Sequence, residues 1–121
     1  MIEGGCFCGK VRYQFETGVY LVINCHCAMC RKIHAAPFVT WIIMPKEAFR
    51  FTQGTPAILA SSARGKRHYC SDCGTHLVFE SLERTHQLDI TSCSLDDPEA
   101  YVPTDGAYAD ARLHWLTGEV K

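Results

Sequence analysis

Alternating hydrophobic and polar positions near the start of the chain predict a half-buried β-strand. Val11, Tyr13 and Phe15 alternate with charged and amide side chains, the period that places every second side chain on one face of a sheet. A continuous apolar stretch from 38 to 44 is rich in β-branched and aromatic residues and ends at Pro45, as expected of a buried strand. Further short strands are predicted at 57–60, 67–70, 76–80 and 87–93.

The breaks between these segments have the composition of turns. They are Gln53-Gly54, Arg64-Gly65, Asp96-Asp97-Pro98 and Asp105-Gly106. Residues 31–36 contain no helix breaker before Pro37 and predict a turn of helix after Cys30. No internal repeat, low-complexity tract or linker divides the chain, so we expect a mainly β fold with a single domain over residues 1–121.

The charge balance argues against a nucleic-acid partner. The 121 residues include 12 basic and 13 acidic side chains, with a formal net charge of -1, whereas nucleic-acid binding usually leaves a basic excess. The most basic stretch, residues 64–68, is interpreted as a solvated loop.

Nothing in the sequence predicts export or membrane insertion. Residues 1–5 have no basic start and no apolar run, and no apolar stretch approaches the ~20 residues that a membrane span needs. We therefore expect a cytoplasmic protein with no membrane partner, whose thiols stay reduced.

Seven of the eight cysteines fall into three tight clusters, at residues 6–8, 25–30 and 70–73. Such short spacings favour a shared metal ion over a disulfide framework, which needs an oxidising compartment and usually spaces its cysteines out. All-thiolate sites suit zinc or iron–sulfur clusters. Because the spacings match neither familiar ferredoxin pattern, zinc is the predicted metal.

Two clusters end in Cys-Gly, at Cys8-Gly9 and Cys73-Gly74. Glycine accepts a positive φ, so the backbone can turn closely around an ion there. The two clusters therefore look like matching knuckles of one closed structural zinc site, whose four ligands would be Cys6, Cys8, Cys70 and Cys73.

The middle cluster offers only Cys25, Cys27 and Cys30 and is followed by Arg31 instead of glycine. A second zinc there would lack one protein ligand, and an open position is typical of a catalytic or substrate-binding zinc. The alternative is a closed shell, with the fourth ligand drawn from Cys93, His26, His34, His68 and His76.

Several side chains around the middle cluster have two possible roles. Arg31, with Lys32, could attract the carboxylates of a substrate, or both could simply be solvated. His26 lies between two ligands on an extended segment, so we expect it to point away from the metal. Core positions are expected for three other side chains: Cys93, Trp41 and Trp115.

Three segments carry a family resemblance: residues 5–13, 25–32 and 69–75, with secondary matches at 36–38, 95–98 and 112–116. Together they resemble the glutathione-dependent formaldehyde-activating enzyme family, which also includes centromere protein V. The chain departs from the family at Gly106-Ala107-Tyr108, where many members have His-Ile-aromatic, and at Cys93, where many have glycine. A changed substrate pocket and neutral drift both remain open as readings of these departures.

The resemblance implies a zinc-stabilised β-tent of short antiparallel strands with two zinc ions per chain. One zinc would be held by the outer clusters and one by the middle three cysteines. The family's type activity is formation of S-hydroxymethylglutathione from glutathione and formaldehyde, classed with carbon–sulfur lyases. The implied partner is therefore a small thiol such as glutathione, and the oligomeric state stays open, with a homodimer as one option.

Charge favours the same chemistry at the middle site. Zinc with three thiolates carries one net negative charge, so it is a poor Lewis acid for making hydroxide. A fourth sulfur remains a good ligand, which suits making or breaking a carbon–sulfur bond. We therefore expect a zinc-dependent, carbon–sulfur lyase-like protein acting on a thiol adduct of a small aldehyde. The alternative is a non-enzymatic zinc-binding interaction module in which both metals are structural.

Overall fold

The computed structural model describes residues 1–118 and builds them mainly from β-strands. The strands are β1 Ile2–Gly5, β2 Arg12–Phe15, β3 Leu21–Cys25, β4 Val39–Pro45, β5 Phe49–Gln53, β6 Ala57–Ser62, β7 Gly65–Tyr69, β8 His76–Ser81, β9 Gln87–Thr91 and β10 Asp105–Ala107. One α-helix, α1, runs over Ala28–His34, and short 3-10 turns lie at Lys46–Ala48, Ser92–Ser94 and Ala109–Ala111.

The strands form two sheets. A three-stranded sheet has the order β1-β2-β5, and a seven-stranded sheet has the order β10-β3-β4-β9-β8-β7-β6. Every pair is antiparallel except β10 and β3, where Gly106 lies opposite Asn24 in a parallel arrangement. The predicted fold class, a mainly β protein of short and largely antiparallel strands, is confirmed.

The hydrophobic core joins the two sheets. Tyr13 and Phe15 from β2 are fully buried and belong to one cluster with Ile42 of β4, Leu77 of β8 and Ile90 of β9. The polar residues of β2, Arg12 and Gln14, are only partly buried. The alternation predicted for this strand is therefore confirmed, and burial of its aromatic face fixes the small sheet against the large one.

Two predicted element boundaries are wrong. The helix begins at Ala28 instead of residue 31 and ends at His34, and the next residue, Ala35, adopts a left-handed conformation with φ 50°. The predicted turn at Asp105-Gly106 is part of β10. Its three residues have no hydrophobic period. They form a strand because their backbone pairs with β3, which is distant in the sequence and cannot be identified from local sequence.

The basic stretch at 64–68, interpreted above as a solvated loop, lies mainly in strand β7. Within it, Arg67 is only 2% exposed, because alternate side chains of the strand face inward. Trp115, expected in the core, is 68% exposed, whereas Trp41 is buried as predicted. Among the described residues, no helix has the length and apolar character to span a bilayer.

Candidate metal centre and cysteine-lined cavity

The first and third cysteine clusters meet in space. The sulfur atoms of Cys6, Cys8, Cys70 and Cys73 all lie within 4.8 Å of one another. Cys8 Sγ is 3.6 Å from Cys6 Sγ and 3.7 Å from Cys70 Sγ. Tetrahedral zinc–sulfur bonds of about 2.3 Å place neighbouring sulfurs about 3.8 Å apart. These four residues could therefore hold a metal ion.

The two knuckles repeat the same backbone geometry. Gly9 and Gly74 both have φ 82°, which confirms that the glycine after each cluster takes the left-handed conformation. The N–H of Cys6 donates to the carbonyl of Val11 at 3.0 Å, and the N–H of Cys70 donates to the carbonyl of Thr75 at 2.9 Å. Each cluster thus closes a loop of the same length at the end of a β-hairpin.

Contacts between the knuckles hold them in register. The backbone N–H of Phe7 donates to Thr75 Oγ at 3.1 Å, and Lys10 Nζ lies 2.6 Å from Asp72 on the surface. Thr75 also hydrogen-bonds Cys73 Sγ at 3.3 Å, and this bond lowers the pKa of the Cys73 thiol to about 5. A thiolate is the form that binds metal, so the hydroxyl favours a ligand at this position.

The middle cluster lies where β3 passes into α1. Cys25 ends the strand, Cys27 immediately precedes the helix and Cys30 lies within its first turn. Cys25 Sγ donates to Cys30 Sγ at 3.7 Å, and both side chains are buried. Within residues 1–118, only the outer four cysteines bring three or more sulfurs within 4.8 Å of one another. The sulfurs of Cys25, Cys27 and Cys30 are therefore not all within 4.8 Å of one another.

The surroundings of Cys30 favour its thiolate form. The hydrogen bond from Cys25 and the nearby Arg67 guanidinium lower the pKa of Cys30 to about 6. The same hydrogen bond has the opposite effect on Cys25, whose pKa is raised because its proton is held in that bond. Of the two sulfurs, that of Cys30 is therefore favoured as the thiolate anion.

A cavity of about 370 Å³ opens over this cluster. Its lining combines the cluster with aromatic and charged side chains: Cys25, Cys27, Cys30, Trp41, Phe79, Tyr108, Arg67, Arg84 and Asp89, with Ile23, Met29, Ile43, Ser62 and Ala107. Arg84 donates to both carboxylate oxygens of Asp89, at 3.2 and 2.9 Å. Tyr108 is 68% exposed and has φ 55°, so an exposed aromatic ring held in a disfavoured backbone conformation lies beside the cluster.

Sequence reasoning missed Arg67 and Arg84 as parts of this cavity. Arg67 lies in a basic run, which is ordinarily solvated, and nothing local shows that strand β7 turns this side chain inward. Arg84 is separated by more than fifty residues from the cluster. The one available signal was that Arg67 begins the strand predicted at 67–70, because side chains of a strand point alternately to its two faces and one of those faces is buried.

The predicted basic residue beside the cluster, Arg31, has different contacts. Its guanidinium donates to the carbonyls of His26 at 2.7 Å and Ala111 at 2.6 Å, and it lines a neighbouring groove with Trp115. These bonds hold the C-terminal segment against the cluster loop. His26 is fully buried, and its ring centroid is 5.4 Å from that of Phe38.

Cys93 is exposed in the 3-10 turn after β9, which corrects its expected place in the core. The strand ends at Thr91, so the buried alternation stops before Cys93. With His34 and His76, Cys93 lines a separate cavity of about 470 Å³. Of the remaining histidines considered as a fourth ligand, His68 is engaged by Glu80 at 3.1 Å. All eight cysteines are free thiols.

The chain is similar to known proteins both in sequence and in structure. A Schizosaccharomyces pombe protein named an uncharacterized lyase is 29% identical over 77 residues, which is 64% of this chain and 56% of that protein. The matched part thus spans little more than half of the relative's length. A crystal structure of a Rhodobacter sphaeroides protein has the same fold, with a TM-score of 0.68 and 19% identity over 84% of this chain and 98% of that chain.

The family model described as "Glutathione-dependent formaldehyde-activating enzyme" matches residues 1–111. That match includes both knuckles, the middle cluster and every strand of the two sheets. The chain belongs to the glutathione-dependent formaldehyde-activating enzyme family.

Proposed function

We propose that this protein is a zinc-dependent carbon–sulfur lyase that forms or cleaves the adduct of a small aldehyde with glutathione or a related thiol. The observation that carries the proposal is the cavity of about 370 Å³ over Cys25, Cys27 and Cys30. Membership of the family and the lyase name of the yeast relative support the same reaction class.

Two zinc ions per chain are proposed. The donor set fits, because an all-sulfur shell suits zinc and the sulfur distances of 3.6 and 3.7 Å match a tetrahedral edge. Cys6, Cys8, Cys70 and Cys73 would hold the structural ion, and the middle three cysteines would hold the second. When bound in the cavity, zinc favours the anionic form of a further sulfur at neutral pH. These thiolates need a reducing compartment, so we place the protein in the cytoplasm.

The cavity walls supply binding and water exclusion. Trp41 and Phe79 lie 6.2 Å apart between ring centroids and form an apolar wall beside the cluster. Arg84 is 41% exposed at its side chain, so it can bind a substrate carboxylate while it stays bonded to buried Asp89. A peptide-like thiol with a free carboxylate therefore fits the cavity better than a purely apolar thiol.

The reaction needs no nucleophile from the protein. In the forming direction, the substrate thiolate donates its electron pair to the aldehyde carbon and a carbon–sulfur bond forms. The carbonyl π electrons move to the oxygen, which takes up one proton and becomes a hydroxyl. Cleavage reverses each step and returns the thiol and the aldehyde. The cavity accelerates either direction by holding the two reactants together in a suitable orientation.

Glutathione and S-methylglutathione give a matched pair for testing the binding site. Calorimetry on the zinc-loaded protein should show binding of glutathione with proton release, because the thiol binds as its anion. S-methylglutathione has the same carboxylates but no ionisable thiol, so it should bind at least about tenfold more weakly. X-ray absorption averages the two zinc sites, so it should report about 3.5 sulfurs per zinc, rising to about four with glutathione.

Two outcomes would contradict this assignment. An average of four sulfurs per zinc before any thiol is added, falling to about 3.5 in Cys93→Ala, would show that the second site is closed. Equal binding of the two glutathione compounds would show that the thiol does not reach the metal. Either result would favour a non-enzymatic zinc-binding interaction module in which both metals are structural.

Turnover is tested by exchange spectroscopy, because formaldehyde and glutathione also combine without a catalyst. Nuclear magnetic resonance with ¹³C-formaldehyde measures the rate at which label moves between free aldehyde and thiol adduct. The protein should raise that rate in proportion to its concentration, and Cys27→Ser should remove the increase. An exchange rate that does not change with added protein would exclude the lyase activity.

A further inference from the structure

Arg67 is a buried cation in direct contact with the middle cysteine cluster. Its side chain lies on the inward face of β7 and is 2% exposed. One guanidinium nitrogen donates to Cys30 Sγ at 3.7 Å, and Nε donates to Ser61 Oγ at 3.1 Å. The guanidinium carbon lies 4.7 Å from the centroid of the Phe79 ring. The charge is therefore enclosed by a sulfur, a hydroxyl and an aromatic face.

A buried guanidinium needs a nearby anion, because an unpaired charge inside a protein is costly. Asp89 lies in the same cavity, but its two carboxylate oxygens accept the hydrogen bonds of Arg84. His34 Nε2 is 3.4 Å from Arg67 and supplies no negative charge. Among residues 1–118, the sulfur of Cys30 is the remaining hydrogen-bond acceptor of Arg67 that can carry one.

The pairing changes the charge that an incoming ligand meets. Zinc with three thiolates carries one net negative charge, which repels a further anion. The guanidinium cancels that charge from inside the protein, at a position that solvent and salt screen weakly. This compensation raises the affinity of the site for an anionic ligand and leaves its affinity for a neutral ligand unchanged.

We propose that Arg67 is a positioning residue that selects an anionic fourth ligand, a thiolate, over a neutral nitrogen donor at the middle metal site. This inference rests on the proposed function and names the residue that gives the site its ligand preference. Arg67 acts through Cys30 and through the field in the cavity, without contacting the aldehyde.

Cobalt-loaded full-length protein provides the test, since sulfur-to-cobalt charge-transfer absorption reports each new thiolate ligand. The probes are 2-mercaptoethanol, which has no carboxylate for Arg84, and imidazole, a neutral nitrogen donor. The protein should bind the thiol at least about tenfold more tightly than imidazole at neutral pH. Arg67→Gln should weaken thiol binding about tenfold, the scale of one lost charge contact. Imidazole affinity should stay within about threefold.

Arg64→Gln is the matched control. It removes the same charge from the same hairpin, but Arg64 is highly exposed at the β6–β7 turn, where it pairs with Glu83 at 3.0 Å. Both affinities should be unchanged in this variant. If Arg67→Gln does not fold, Arg67→Lys and Arg67→Met replace it, because both side chains are long enough to fill the site and only lysine keeps the charge. The preference for thiol should persist in the lysine variant and disappear in the methionine variant.

The outcomes separate this inference from the proposed function. A protein that binds no thiol at all overturns both. Thiol binding that is equally strong in the parent and in Arg67→Gln overturns only the role of Arg67. Equal losses for thiol and imidazole would show that Arg67 merely supports the fold. A preference for imidazole in the unmodified protein would also contradict the inference, and that measurement requires no variant.

Discussion

Gly9 and Gly74 show how a single residue type shapes the knuckles. Both have φ 82°, and a Cβ at either position would meet no atom within 4 Å. Glycine is therefore favoured at these positions by the left-handed backbone conformation and not by a lack of space for a side chain. Gly9→Ala should lower the unfolding free energy of the metal-loaded protein by about 1–2 kcal/mol, the cost of a left-handed backbone for an L-residue. Gly9→Asn should cost less, because asparagine tolerates this conformation.

Chemical denaturation of both variants checks this prediction at equal metal content. A loss in Gly9→Asn as large as that in Gly9→Ala would mean that the backbone conformation is not the cause. Gly74→Ala should repeat the result, since the second knuckle has the same φ.

His34 makes a residue-scale contribution to pH dependence. Burial lowers its pKa to about 4, and the positive charges of His76 and Arg67 add to the shift. The unfolded value is near 6.5, so the unfolded chain binds the proton more tightly and acid favours unfolding. The contribution of His34 is fully present above about pH 6.5 and is lost progressively as the pH falls towards 4.

Because His34 is only partly buried, we expect the loss between pH 7 and 5.5 to be about 1 kcal/mol. His34→Gln removes the titrating group, so its unfolding free energy should fall less steeply over that range. The measurement is urea denaturation at several pH values with the metal content checked at each. Parallel pH profiles for the two proteins would contradict the assignment.

At the scale of elements, the outer cysteines connect the two sheets. Cys6 follows β1 in the small sheet, and Cys70 follows β7 in the large sheet. A metal held by both knuckles closes a long loop, and its binding free energy becomes part of the folding free energy. Cys73→Ser should therefore unfold or aggregate the protein, whereas Cys27→Ser should keep the fold and bind the second metal more weakly.

Circular dichroism and thermal unfolding with metal analysis distinguish these two classes of variant. Comparable unfolding in Cys73→Ser and Cys27→Ser would indicate that both sites are structural. Cys93→Ala serves as the control for loss of a thiol, because Cys93 is exposed and lies outside both clusters.

Elements with a strong local pattern could be predicted from the sequence, and elements defined by distant pairing could not. Strand β4 has a long β-branched run, and the knuckles have cysteine and glycine at fixed spacing. Strand β10 is Asp-Gly-Ala, a turn-like tripeptide that is extended because it pairs with β3. The burial of Arg67 could not be predicted either, since it depends on which face of β7 meets the helix and the cavity. Local sequence specifies the cysteine clusters but not the charges around them.

At the scale of the whole molecule, the outer four cysteines and the middle three differ in how closely the fold brings their sulfurs together. The outer four sulfurs already lie within 4.8 Å of one another. The N–H of Val11 donates to Cys6 Sγ, and the N–H of Phe7 donates to Thr75 Oγ, so these bonds fix the two loops. The middle three cysteines border a cavity, and their sulfurs are not all within 4.8 Å of one another. A preassembled site loses less conformational entropy on binding, so it should hold its metal more tightly.

Native mass spectrometry of the reduced protein should consequently show two bound zinc ions at saturation and a one-zinc species under mild chelation. The ion that remains should belong to the outer site. Cys27→Ser should show the one-zinc species alone under conditions that load both sites in the parent, and its retained ion should leave only with unfolding. A parent protein that never exceeds one zinc would contradict the division of the seven cysteines into two sites. Simultaneous loss of both ions at one chelator concentration would instead show that the two sites are equally assembled, and that the middle cluster is as rigid as the knuckles.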